Sequence, residues 1–241
     1  MNNLINQFGD NSIYVERNAG QIFIGGNFIE EPTSAFSTVS SELKNYTATI
    51  TPHIHRDEVN EVVEWIAREA EKEGSSRLAL VYGKAGAGKS VVMHDVLEAL
   101  QARSDYLVLG LKSDQIVFVD EDDLARKMHL AKPIQTAIEE MARKYQRVVL
   151  LVDQIDALSL SLSANRTPLR SLLNLIKNVH TIHNVRVVIS CRPYDLEYDP
   201  LLDTLEIKHK WEIKDFTREQ VKPTFPHQYI TRLCFLVPGH P

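Results

Sequence analysis

The chain has 241 residues, enough for one large domain or one domain with appendages. With 44% hydrophobic and 24% charged residues it has the balance of a packed globular protein, which excludes the disordered class. Its net charge of −5, from 27 basic and 32 acidic residues, gives no cationic surplus, so nucleic acid is not indicated as an obligatory partner, although a local basic patch stays open.

Residues 1–10 have neither the basic nor the apolar segment of a secretory leader, and the longest strongly apolar run, 148–152, is far too short to span a bilayer. No membrane association is expected. Two cysteines, Cys191 and Cys234, make no disulfide framework and suit a reducing cytoplasm, the expected location. His53 and His55 are the closest histidine pair, without a cysteine cluster beside them. Zinc needs three or four convergent ligands and is not expected there.

Residues 12–29 read as a small β-hairpin. Ile13 and Val15, then Ile22 and Ile24, alternate around the turn Asn18-Ala19-Gly20, and Gly25-Gly26 closes it. Residues 30–50, with Pro32 and many Ser and Thr, read as a linker, so 1–50 form an N-terminal hairpin-and-linker unit. A helix is predicted from Asp57 to about Lys72, where Val59, Val62, Val63, Ile66 and Ala70 make one apolar stripe before Gly74-Ser75-Ser76.

Then the pattern changes. The run 78–81 is a strand candidate buried on both faces, followed by a Gly-rich loop and a helix with Val92, Val96 and Leu100 in register. A second strand is expected over 106–111. Pro133 stands at a first helical position, leading into Ile134, Ala137, Ile138, Met141 and Tyr145. Strands over 148–152, 185–189 and 205–213, and a helix striped by Leu169, Leu172, Leu173, Ile176 and Val179, complete the series. Strands alternating with helices imply a three-layer α/β/α fold on a mainly parallel sheet, preceded by a small β element and a helix.

The loop Gly83-Lys84-Ala85-Gly86-Ala87-Gly88-Lys89-Ser90 matches G-x-x-x-x-G-K-[ST] in full. A triphosphate must be wrapped by backbone N–H groups, so the loop needs residues that tolerate unusual φ and leave room for phosphate. The helix that follows aims its positive end at the anion. Lys89 would then reach the β- and γ-phosphates, and the Ser90 hydroxyl would ligate Mg²⁺. All eight positions count as candidate nucleotide contacts, although Lys84, at an x position, also reads as an exposed loop cation. ATP or a related nucleotide, with Mg²⁺, is the expected ligand.

A P-loop needs an acid at the end of a neighbouring buried strand to hold the metal's water shell, and Asp153 supplies it directly after 148–152. Gln154 stands where many ATPases place a glutamate as general base; an amide orients water but cannot take its proton. Asp156 is the nearest alternative base, with a capping or structural role left open. The strand 185–189 runs into Ser190, Cys191, Arg192 and Pro193. Open α/β sheets bind ligands at that edge, so Arg192 is a candidate for sensing the γ-phosphate, with surface pairing to Asp195 or Glu197 as the alternative, and Ser190 could hydrogen-bond nearby.

These elements together resemble the STAND class of signal-transduction NTPases, close to the NACHT branch of the AAA+ superfamily, including the large bacterial STAND ATPases of antiviral defence. The residues carrying the resemblance are Gly83 to Ser90, Leu151-Val152-Asp153-Gln154-Ile155-Asp156-Ala157-Leu158 and Val187-Val188-Ile189-Ser190-Cys191-Arg192-Pro193. Ile54-His55-Arg56-Asp57-Glu58 is similar to the short motif such proteins carry before the core, which implies that Arg56 packs near the adenine; an arginine opening a solvated helix face is the other reading. The resemblance covers an NTPase domain over about 51–218 and implies a switch: ATP drives homo-oligomerisation after a trigger of unknown identity is sensed. The chain departs from that plan at both ends, and 219–241, with Pro223, Pro226 and Pro238, reads as an irregular tail of a truncated or frame-shifted fragment with weak hydrolysis of its own. A P-loop kinase or a DNA-directed motor is the competing expectation.

Overall fold

Uninterrupted runs of aliphatic residues form strands only where helices cover both faces of the sheet. The computed structural model describes residues 13–16, 21–24, 27–30, 32–45, 53–68, 77–159, 166–217 and 220, and shows that arrangement. Three short strands come first: β1 (Ile13–Glu16), β2 (Gln21–Ile24) and β3 (Asn27–Glu30), all antiparallel, with Phe23 opposite Phe28. The expected hairpin is thus a three-stranded meander that continues beyond Gly25-Gly26.

The expected linker contains a helix, α1 (Pro32–Asn45). Pro32 opens it, where a missing N–H costs nothing. Ala35, Phe36, Ser40 and Leu43 recur at helical spacing and are all buried. Hydroxyl side chains among them (Ser40 inside, Ser37 and Thr38 outside) disguise this stripe as polar sequence. Next comes α2 (Asp57–Ala67), with Val59, Val62, Trp65 and Ile66 buried. It stops short of Lys72, and the buried Arg147 and Arg186 donate to the free carbonyls of Ala67 and Arg68 at its end. Burial, with Arg147 and Arg77 nearby, brings the Arg186 guanidinium down to about 10.

The remaining elements alternate as expected: β4 (Leu78–Tyr82), α3 (Lys89–Gln101), β5 (Tyr106–Lys112), α4 (Glu121–Lys127), α5 (Ile134–Lys144), β6 (Arg147–Asp153), a 3₁₀ turn (Ile155–Leu158), α6 (Thr167–Val179), β7 (Val185–Cys191), α7 (Pro193–Tyr198) and β8 (His209–Glu212). Strand order is β5-β6-β7-β4-β8, and every pair is parallel. Burial sorts the strand residues by parity. Leu78, Leu80, Val148, Leu150, Val152, Val187 and Ile189 join the core under α5 and α6, while Ala79, Val81, Val149, Leu151 and Val188 join the core under α2 and α3. Each such aliphatic side chain removed from water contributes about 1.5–3 kcal/mol, so the two cores hold the sheet in place.

Smaller differences have local causes. Pro133 caps α5 from outside, and α4, absent from the sequence reading, is short and acid-led, with the Asp120 carboxylate accepting from the Asp123 N–H at 2.8 Å. The last strand is only His209–Glu212 and is held by Trp65 of α2, edge-on to Trp211 at 5.9 Å. At the opposite sheet edge α1 packs on β5. The Ser40 hydroxyl accepts from the Gly110 N–H at 2.8 Å, and Leu43 packs where a Gly110 side chain would stand. No helix among the described residues is long and apolar enough to cross a membrane. The turns expected at Asn18-Ala19-Gly20 and Gly74-Ser75-Ser76, Cys234 and the proline-bearing tail lie outside the described residues.

Candidate functional site

The loop between β4 and α3 bends through two left-handed glycines, Gly86 at φ 79° and Gly88 at φ 99°, where a side chain would be strained. Gly88 is the N-cap of α3, so the amides of the helix start face the loop's hollow. Gly83 is required for a different reason. A Cβ there would collide with the Ile213 carbonyl, which lies beside the Ile213 N–H···O=C Tyr82 bond of 2.7 Å. Gly83→Ala is therefore expected to lower stability by about 1–3 kcal/mol, the usual range for overpacking. Urea unfolding checks it, and a midpoint equal to wild type would show that the Ile213 segment yields freely.

Within the loop, Lys84, Ala85 and Gly86 are exposed, while Ala87, Lys89 and Ser90 are buried. Lys84 turns outward and pairs with Asp215. Lys89 folds back, its Nζ donating to the carbonyls of Gly83 at 2.7 Å and Lys84 at 3.1 Å. Burial holds its ammonium below the ordinary lysine range, with Asp156 and Asp153 acting in the opposite direction.

Asp153 ends β6 with no exposed surface. Its Oδ1 accepts from the Ser190 hydroxyl at 2.6 Å, and the same Ser190 oxygen accepts from the Gln154 N–H at 2.8 Å. The other oxygen, Oδ2, is buried and makes no hydrogen bond. Burial raises the Asp153 carboxyl above the usual aspartate range, with the Ser190 and Ser90 hydroxyls and Lys112 pulling against it. An orphaned, buried carboxylate oxygen near a serine hydroxyl fits a hard divalent cation, which takes one or two carboxylates and completes its shell from phosphate and water.

Gln154 adopts the left-handed conformation, φ 55° and ψ 51°, uncommon for a residue with a side chain. That turn directs its amide Nε2 to the Ser90 hydroxyl at 3.3 Å. Asp156, on the 3₁₀ turn, accepts from Arg192 Nε at 2.6 Å, and Arg192 also lies 3.0 Å from Asp195. Burial alone would lower Arg192; the two aspartates outweigh it and raise the guanidinium above its usual range. Arg192 thus makes the Asp195 pair weighed from sequence and, in addition, ties up the other candidate, Asp156.

Arg56, 4% exposed, comes to the loop from the start of α2. Its Nη2 donates to the Ala87 carbonyl at 2.7 Å, and the guanidinium lies 3.8 Å over the Phe216 ring. Burial lowers its pKa against the pull of Glu58 and Asp215. The sequence reading missed Phe216, whose only signal is an aromatic after β8, and Lys112, a cation after an apolar strand. Lys112 is 1% exposed and faces Asp153 across the β5–β6 register.

A parallel sheet with a glycine-led phosphate loop at one strand's carboxyl end and a buried aspartate at the end of a strand in the same sheet defines a P-loop NTPase domain. The chain belongs to the NACHT domain family, whose model matches residues 77–231, and the STAND-class resemblance stands. No curated protein matches the sequence. Among solved structures, domain III of the replication initiation protein DnaA from Thermotoga maritima aligns at TM-score 0.50 and 15% identity, over 78% of this chain and 80% of that one. The Aeropyrum pernix ORC1 protein in complex with DNA gives 0.48 at 15% identity over 79% and 53%, and C. elegans PCH-2 gives 0.47 at 16% over 76% and 50%. This chain spans about half the length of the latter two (53% and 50%). At these identities the likeness shows the fold alone.

Proposed function

We propose that this domain is the ATP-binding module of a STAND-type signalling or defence switch, acting in the cytoplasm through nucleotide-driven assembly with copies of itself and hydrolysing slowly. The backbone of Gly83 to Ser90 wraps the phosphates, and Lys89 leaves the Gly83 and Lys84 carbonyls for the β- and γ-phosphates. Ser90 and Asp153 hold Mg²⁺, which when bound neutralises charge on the phosphate oxygens. Arg56 and Phe216 border the adenine, and Arg192 stands toward the γ-phosphate.

The observation that carries the slow-switch reading is the Arg192–Asp156 pair beside the Gln154 amide. A water attacking phosphorus needs a proton acceptor. Gln154 has none to offer, and the other candidate base, Asp156, is engaged by a guanidinium. An ion pair of this kind has two stable arrangements, with Arg192 on Asp156 or on a γ-phosphate, and nucleotide chooses between them.

A thermal melt with and without ATP and Mg²⁺, with phosphate release followed on the same sample, tests this reading. Ligand at a hundred times its dissociation constant should add about 2.7 kcal/mol of stability, with phosphate release far below the roughly 1–10³ per second of ordinary enzymes. Turnover in that range would overturn the switch reading in favour of a kinase or motor, and stimulation by added DNA would single out the motor.

A further inference from the structure

Lys112 is among the largest fully buried side chains of the described residues, an unusual place for an ammonium. It closes β5 in register with Asp153, the last residue of β6. Parallel pairing sends both side chains toward the same sheet edge, and the Ser113 N–H bonds the Asp153 carbonyl at 2.9 Å, holding the two strand ends together. Lys112 Nζ donates to Asp114 Oδ1 at 2.7 Å and lies 3.9 Å from Asp153 Oδ2. That oxygen is the one without a hydrogen bond. The ammonium is therefore shared between a partly exposed carboxylate, which binds it directly, and a wholly buried one, which it meets at ion-pair distance.

From this geometry we infer that Lys112 is a built-in counter-cation for Asp153, a positioning residue that competes with Mg²⁺ and sets how much Mg²⁺ the nucleotide site requires. The inference rests on Asp153 being the metal aspartate. While the site is without metal, Lys112 is the positive charge that faces the unbonded Asp153 oxygen, from 3.9 Å. When the divalent ion arrives, two cations face one carboxylate oxygen, and Asp114 offers Lys112 an alternative partner. Asp114 thus acts as a parking place: the more firmly it holds the ammonium, the more of Asp153 is left to the metal.

The test is a MgCl₂ titration of the whole chain at fixed fluorescent ATP analogue, with the analogue's affinity in EDTA measured alongside. Lys112→Met should move the Mg²⁺ midpoint at least about tenfold lower, the low end of what a single charge 4–6 Å away does to a proton equilibrium. Lys112→Arg, which keeps the charge, should stay near wild type. Asp114→Asn, a substitution at a half-exposed side chain, should move the midpoint higher, and its effect should shrink in the Lys112→Met background because it acts through the lysine. The EDTA affinity should not change in any of them. A Lys112→Met midpoint unchanged or higher overturns the inference. So does an equal Asp114→Asn shift with and without Lys112, and this arm survives if a Lys112 variant folds only as the double substitution. Asp153→Asn is the control: if it leaves the Mg²⁺ dependence intact, the metal assignment of Asp153 has failed, which is a different result from failure of the Lys112 arms alone.

Discussion

Lys89→Ala is expected to lower affinity for ATP with Mg²⁺ by about ten- to a hundredfold while leaving the fold intact. The loop's other side-chain cation, Lys84, points out to Asp215, so Lys89 is the one buried ammonium that the loop itself carries. Charge-assisted contacts are worth roughly 1.5–3 kcal/mol, and each 1.4 kcal/mol is about tenfold in affinity. The loss to the free protein is smaller. Of the two carbonyls that Nζ now serves, that of Lys84 lies where the loop is exposed, and truncation to alanine makes room for water at the buried one of Gly83. Titration of a fluorescent ATP analogue, with a melting curve of the variant as a check on folding, measures the effect. Binding at wild-type strength in a folded variant would remove the loop lysine from the phosphate site.

The second large effect is expected at Gln154. Gln154→Glu should raise phosphate release by about 10²–10⁴-fold, the range that a well-placed general base supplies. The strained left-handed turn already directs this side chain at the Ser90 hydroxyl, so a carboxylate of nearly the same shape would occupy the same place. It would also add an acceptor free of the guanidinium that holds Asp156. The measurement is phosphate release at saturating ATP and Mg²⁺. A fall in rate, together with loss of activity in Asp156→Asn, would show that Asp156 is already the base and that Gln154 only positions water.

How much of this was legible in sequence depended on how far apart the cooperating residues lie. The phosphate loop was fully legible because its chemistry needs eight consecutive residues, and Asp153 because five apolar residues lead into it. The sheet was legible because both-face burial leaves unbroken aliphatic runs. What escaped was paired through space. Lys112 looks like strand termination until the β5–β6 register sets it against Asp153. The Arg192–Asp156 pair joins the ends of two strand-to-helix connections, and sequence proximity favoured Asp195, which is only the second partner. Helix α1 escaped for a compositional reason: a buried serine stands inside its apolar stripe, its hydroxyl donating to the Phe36 carbonyl of its own helix and accepting from the distant Gly110 N–H.

That serine bears on how the protein is made. An edge strand with open amides invites other chains to add to it, most of all during synthesis, when partner strands have yet to emerge. In this chain the cover comes first: Ser40 precedes the Gly110 amide it satisfies by 70 residues. When β5 leaves the ribosome, α1 has already been synthesised, while β6, its sheet neighbour among the described strands, is still to come. Helix α1, far in sequence from the phosphate loop, thus covers a β5 edge amide with a hydroxyl that is made before the strand is.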